Sequence, residues 1–357
     1  MKLRALILLS TLAAGPALAN PPKVATDIPA VHSLVAQVMD GVGAPDLIMR
    51  PGASPHAYAM RPSEAAALQG ADLIFWIGED LTPWLERALD KLGPEAVSIE
   101  LLGVRGTKTL PIREGASFDA HDHGSEDHDG HDDDAKHDDH DHDDHVKHDE
   151  HDHDDHAKHD ERDHDDHAKD HDHDEHDHDK HAHDHEGADP HAWLDPRNAG
   201  VWLGAIADAL IKADPANATR YTANAEAAQA RLEALEGRLD ETLKPVQGRP
   251  FIVFHDAYQY FEARFGMTAA GAITLGDGFA PSAARIAEIR DRIADSGAEC
   301  VFAEPQFDAR TIETLIEGTE VRAAVLDPVG VELEFGPSFY EALLSRMADD
   351  LTACLAG

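Results

Sequence analysis

Asp72-Leu73-Ile74-Phe75-Trp76-Ile77-Gly78 is a nearly continuous apolar run of strand length. A run without the polar alternation of a half-exposed strand belongs to a strand covered on both faces, as in a parallel sheet flanked by helices. The sequence on either side supports that reading. Val24-Ala25 opens a short strand ending at Asp27, Asp46-Leu47-Ile48-Met49 forms another, and Val97 to Leu101 supplies a fourth. Pro29 and Pro62 stand where helices begin, a position that suits proline because its fixed φ is helical and its missing N–H has no partner there. Strands alternating with helices imply an α/β domain.

The same alternation returns downstream. Phe251-Ile252-Val253-Phe254 is a strand ending at His255, followed by strands at Ala269 to Ile273, Val301 to Ala303 and Val321 to Leu326, the last two ending at Glu304 and Asp327. Helices fit between them, and Pro337 to Leu355 forms a closing helix. The two alternating blocks are separated by helical sequence. Asn198 to Ala213 reads as one helix, and Ala216 to Leu243 is rich in Ala, Leu, Glu and Arg, with Leu232, Leu235, Leu239 and Leu243 at helical spacing. A helix of that length spans about 42 Å, enough to run beside two domains. The expected architecture is two α/β lobes bridged by one long helix, with a cleft between them: an N-terminal lobe over 20–213, a linking helix over 214–245 and a C-terminal lobe over 246–357.

Composition adds a further element. The 357 residues hold 70 Asp and Glu against 30 Lys and Arg, a formal charge of −40, which argues against a nucleic-acid partner. The excess is concentrated in residues 119 to 189, where 49 of 71 residues are His or Asp and where 22 of the 26 histidines lie. An eleven-residue unit recurs there: Asp141 to His148, Asp152 to His159 and Asp163 to Asp170 align with His142, His153 and His164 in phase. Such sequence has almost nothing to bury and does not offset its own conformational entropy. It is expected to be a disordered loop, 119–188, inserted in the first lobe, with those histidines as weak accessory metal sites.

At the N-terminus, Lys2 and Arg4 precede the apolar stretches Leu6 to Leu9 and Leu12 to Ala14, and Ala17-Leu18-Ala19 precedes Asn20. This three-part pattern reads as an export signal over 1–19, cleaved near Ala19, and not as a span of about 20 apolar residues. A soluble periplasmic protein is expected, and a monomer, because no uncovered apolar face calls for a mate. Export also bears on the two cysteines, Cys300 and Cys354, since disulfides persist outside the cytosol. One bridge between them is the natural expectation, with two buried free thiols as the alternative.

Four histidines lie outside the acidic loop. Open α/β sheets bind ligands beyond the carboxyl ends of their strands. His56 lies in the loop after Asp46 to Met49, His191 lies where folded sequence resumes after the acidic loop, and His255 ends the first strand of the second block. Neutral imidazoles from separate loops plus a carboxylate suit a borderline cation such as Zn²⁺. Each has an ordinary alternative: His56 as a turn residue, His191 as the last member of the low-complexity run, His255 as a hydrogen-bonded core histidine. His32, within the apolar start of a helix, reads as packed.

Four ordered motifs then carry a family resemblance. They are Gly52-Ala53-Ser54-Pro55-His56-Ala57-Tyr58-Ala59-Met60-Arg61-Pro62-Ser63, Asp189-Pro190-His191-Ala192-Trp193-Leu194-Asp195-Pro196, Phe254-His255-Asp256-Ala257-Tyr258-Gln259-Tyr260-Phe261 and Leu326-Asp327-Pro328. With the His/Asp-rich insertion between the first two, the chain resembles the zinc-specific solute-binding proteins of ABC importers, of the ZnuA type, along essentially its whole mature length. The resemblance implies two lobes joined by a long helix, one Zn²⁺ in the cleft, a membrane permease as partner and a C-terminal disulfide matching Cys300 and Cys354. It implies His56, His191 and His255 as zinc ligands and Asp327 as candidate for the fourth position, which a water or a loop histidine could also take. Histidine at 255 favours zinc over manganese within that group. Pro55 departs from members that carry Glu directly before the first histidine. Two other classes compete: a periplasmic zinc buffer that uses the loop as its store, and a zinc hydrolase, for which neither HExxH nor GxSxG is present.

Overall fold

The computed structural model describes residues 20–50, 52–93, 95–113, 187–274, 281–308 and 310–357. The expected export signal and residues 119–186 of the insertion, with His142, His153 and His164, lie outside these. Strands β1 (Val24–Thr26), β2 (Asp46–Leu47), β3 (Leu73–Trp76) and β4 (Val97–Glu100) form an all-parallel sheet in the order β2-β1-β3-β4. The apolar run at β3 is central and buried at every position. Helices α1 (Pro29–Val38), α2 (Pro62–Gln69) and α3 (Pro83–Leu92) connect the strands, each with proline in its first turn. No element was expected over Pro83–Leu92, whose single apolar face buries only Leu85 and Ala88.

Two long helices follow, α4 (Pro196–Ala213) and α5 (Ala218–Leu243). The second sheet repeats the first: β5 (Phe251–His255), β6 (Ala269–Thr274), β7 (Cys300–Ala303) and β8 (Arg322–Val325), all parallel in the order β6-β5-β7-β8. Helices α6 (Gln259–Phe265), α7 (Ala283–Ser296) and α8 (Arg310–Ile316) alternate with these strands, and α9 (Phe339–Leu355) ends the chain. Arg285 and Arg292 of α7 donate to the β6 carbonyls of Ala270, Ala272 and Ile273 at 2.7–3.0 Å, which occupies that sheet edge.

Helix α5 runs for 26 residues, about 39 Å. It buries Tyr221, Ala228, Leu232, Leu235, Leu239 and Leu243 on one stripe and packs against α1 and α4 on one side and α6 and α9 on the other. The lobes also touch directly. Ser33 of α1 donates to Pro337 O (2.9 Å) and accepts from Tyr340 N of α9 (3.1 Å), Arg264 grips the buried Asp195 carboxylate through two 2.9 Å bonds, and Trp193 Nε1 donates to Pro328 O (3.0 Å). One contiguous apolar cluster contains Leu34 and Val35, Leu203, Leu239, Phe261, Phe302 and Leu344, so residues of both lobes share a core. The Cys300–Cys354 disulfide, with Cα atoms 6.3 Å apart, ties the first residue of β7 to the last turn of α9.

The ends of the insertion are fixed next to each other. Ile112 N donates to Gly187 O (2.9 Å) and Asp189 N to Leu110 O (2.8 Å), around an antiparallel bridge between Pro111 and Ala188. The second lobe holds this root. Tyr260 Oη accepts from Leu110 N (3.0 Å) and donates to Asp189 O (2.7 Å), while Arg113 forms ion pairs with Asp256 and with Glu262 (2.9 Å).

Candidate metal centre

Because β5 and β7 are hydrogen-bonded neighbours, the residues at their carboxyl ends are brought together. His255 closes β5, and Glu304 follows β7 directly. The Glu304 carboxylate lies 2.6 Å from His255 Nδ1 and accepts from the His255 amide at 3.3 Å. His191 is built the same way from sequence neighbours. Asp189 Oδ1 lies 2.7 Å from His191 Nδ1 and accepts from the His191 amide (3.0 Å), a turn that points the ring towards His255 just before the 3-10 turn Ala192–Leu194. Burial raises the pKa of the Asp189 carboxyl, while the His191 amide and the positive charge of Arg113 favour the charged form that pairs with His191. His56 comes from the loop after β2. That loop is held by Trp84 Nε1 donating to Pro55 O (2.7 Å), by Tyr58 against Trp84 with ring centres 5.1 Å apart, and by Arg50 Nε donating to Tyr58 Oη (2.8 Å).

The three rings meet at one point. His191 Nε2 lies 3.2 Å from His56 Nε2 and 3.4 Å from His255 Nε2, and all three ligand atoms are within 4.8 Å of one another. His191 and His255 are 5% and 4% exposed. The carboxylates fix the chemistry of those contacts. A carboxylate can only accept, so Nδ1 of His191 and of His255 each carries the proton, and each neutral ring turns an Nε2 lone pair inward. Two lone pairs facing at 3.4 Å repel unless a cation lies between them. Ligands about 2.0–2.1 Å from a tetrahedral zinc are about 3.3–3.4 Å apart, the spacing of these nitrogens. Three neutral imidazoles backed by two carboxylates also balance a divalent ion, and carboxylate–histidine pairs of this kind hold ring orientation in metal sites.

Residues 24–354 match the family model ZnuA, zinc-uptake complex component A periplasmic. The chain belongs to the ZnuA family. It is 46% identical over 344 residues to the high-affinity zinc uptake system protein ZnuA of Paracoccus denitrificans, covering 96% of this chain and 94% of that one. It is 44% identical over 333 residues to ZnuA of Brucella suis, covering 93% and 91%. A crystal structure of ZnuA superimposes with a TM-score of 0.65 at 21% identity, covering 94% of this chain and all of the other, and shares the two-lobed fold.

Within this ZnuA-family site the expected residues divide. His56, His191 and His255 converge. Asp327 does not join them: its Oδ1 accepts from Val329 N (3.0 Å) and Gly330 N (2.9 Å) and its Oδ2 from Val331 N (2.6 Å), so the carboxylate caps its own loop. A carboxylate at a strand end is drawn to the free amides of the turn that follows it. His32 is packed as expected, with Nε2 3.2 Å from Pro45 O, and burial lowers its pKa. Asp189 and Glu304 were not read as histidine partners. Asp189 stands two residues before His191, the spacing at which an Asp side chain meets a backbone amide, and that signal was available. Glu304 needed the β5–β7 pairing.

Proposed function

We propose that this protein is a receptor, not an enzyme, that captures Zn²⁺ in the periplasm and delivers it to an ABC-type permease. The observation that carries the reading is the convergence of three histidine nitrogens within 4.8 Å of one another, with the Nε2 atoms of His191 and His255 turned inward by carboxylates on their Nδ1 atoms. On this reading His56, His191 and His255 are the protein ligands. One ion would join a lobe carrying His56 and His191 to a lobe carrying His255, with 20–213, 214–245 and 246–357 as first lobe, linking helix and second lobe. The family is periplasmic, and among the described residues no helix is long and apolar enough to cross a membrane. Export with cleavage near Ala19, and function as a monomer, complete the proposal. The acidic insertion attracts cations by its charge and offers weak sites such as His142, His153 and His164 that raise the ion's concentration near the cleft.

Competitive zinc titration of metal-free protein tests this, with bound metal counted by elemental analysis. One tight site is expected in the wild type and in a variant lacking 119–187, and its loss in His255→Ala. Tight binding that vanished with the insertion and persisted in His255→Ala would replace the receptor reading with that of a periplasmic zinc buffer.

A further inference from the structure

Three histidines leave one position of a tetrahedron to be filled, and Asp327 is committed to its loop. The cavity between the histidines has a volume of about 10 Å³ and is also lined by Trp193, Phe307 and Gln306. An ion about 2.0–2.1 Å from its nitrogens sits closer than any water centre can approach them, so this volume belongs to the ion's next partner. That volume is room for about one water.

Gln306 lines this cavity together with the polar side chains of Ser54 and Glu304, and Glu304 is already engaged with His255. Gln306 Nε2 donates to Asp327 Oδ1 at 3.3 Å. The carboxylate decides which end of the amide faces it, because an amide oxygen in that place would repel it. The opposite end, Oε1, is therefore directed away from Asp327, and it is buried with no hydrogen-bond donor among the described residues. A buried carbonyl oxygen left without a donor is costly, and a water arriving with the ion removes that cost. The segment bearing Gln306 is held in place. Phe307 stacks on Phe254 with ring centres 4.3 Å apart, and its amide donates to Glu304 O (3.1 Å).

We propose that Gln306 is a positioning residue for the fourth coordination position: its Oε1 accepts a hydrogen bond from a water bound to the ion, and Asp327 orients the amide. The proposal rests on the three-histidine reading of the centre. It assigns Asp327 a place one step behind the coordination sphere, reached through Gln306. A neutral acceptor holds the fourth partner without adding a third negative charge to Asp189 and Glu304, so the ion remains extractable. A carboxylate in the same place would trap it.

The test uses the full chain with Zn²⁺ and with Co²⁺ as a spectroscopic stand-in. Gln306→Leu is expected to weaken zinc binding about tenfold, mainly through faster release, within the range seen when partners behind the ligands are removed. Its visible Co²⁺ bands should also shift in position and intensity, because the oxygen donor is displaced or reoriented. Gln306→Glu is expected to bind at least tenfold more tightly and to release zinc more slowly. Gln306→Asn, which keeps the amide but withdraws it, should resemble Gln306→Leu and guards against a folding defect in that variant. Wild-type affinity, release rate and Co²⁺ spectrum in Gln306→Asn and Gln306→Glu would overturn the proposal while leaving the centre intact. Retention of tight binding in His255→Ala would instead overturn the reading on which it rests.

Discussion

At the scale of single residues, the centre depends on groups that never touch the ion. Glu304 sets the His255 tautomer through a 2.6 Å contact to Nδ1. Glu304→Gln keeps an acceptor of similar shape but removes the charge and introduces an alternative donor, so zinc affinity should fall about 10- to 100-fold. Isothermal titration against a competing chelator measures this, and unchanged affinity would mean that the ring is oriented by packing alone. Asp27 is a different case. Fully buried at the end of β1, it accepts from Ile28 N (2.7 Å) and Ile77 N (2.8 Å), yet burial pushes its carboxyl up from 3.8 to about 7. The folded state therefore holds a proton between about pH 4 and 7 that the unfolded chain has lost. The stability this contributes is complete below about pH 4 and disappears as pH rises through about 7. Relative to Asp27→Asn, which carries no such proton, metal-free wild type should lose on the order of 4 kcal/mol between pH 4 and 8. Urea midpoints at the two pH values give the difference, and equal losses in both proteins would assign Asp27 no part in it. The three histidines that converge were readable from the sequence because His56 follows a strand, His255 ends one and His191 stands where folded sequence resumes. Gln306 was not, since its place depends on Asp327, 21 residues away, and on the stacking of Phe307 over Phe254.

At the scale of elements, periodicity located the strands and the long helices but passed over α3. Yet Trp84, Leu85, Ala88, Leu89 and Leu92 recur at helical spacing behind Pro83, and all five pack against one apolar cluster, so the signal for this helix was present in the sequence. The β2 strand is shorter than expected. Only Asp46 and Leu47 form the strand itself, although Ile48 N still donates to Thr26 O (2.9 Å) and Met49 N to Asp27 O (3.0 Å) before the chain continues as the loop that carries His56. The disulfide adds a tie that propensity does not encode, closing a separation of 54 residues between β7 and α9. In the chain-entropy account, a closed loop of that length stabilises by about 4 kcal/mol. Cys354→Ser should lower the unfolding free energy by an amount of that order, and full reduction of the wild type should reproduce it. A change below about 1 kcal/mol would mean that the β7–α9 packing holds this region without the bond.

At the scale of the molecule, α5 and the shared core decide how far the lobes can move. A hinge must break contacts as it opens, and here it would have to separate an apolar cluster containing residues of both sheets, the Ser33–Tyr340 pair and the buried Arg264–Asp195 ion pair. Zinc capture should therefore proceed by local adjustment of the loops carrying His56 and His191, with little change in overall dimensions. Small-angle scattering of apo and zinc-loaded protein should give nearly superimposable profiles. A contraction of several ångströms in radius of gyration would show that the shared core opens.

The root of the insertion has a consequence for its length and charge. Ile112 and Gly187 are joined by a hydrogen bond, with Tyr260 and Arg113 securing the same point. Whatever lies between residues 113 and 187, both lobes meet it at a single fixed doorway. The strands and helices of both lobes are described without any residue between 113 and 187. The length and charge of this segment can therefore vary without disturbing the residues that hold its two ends.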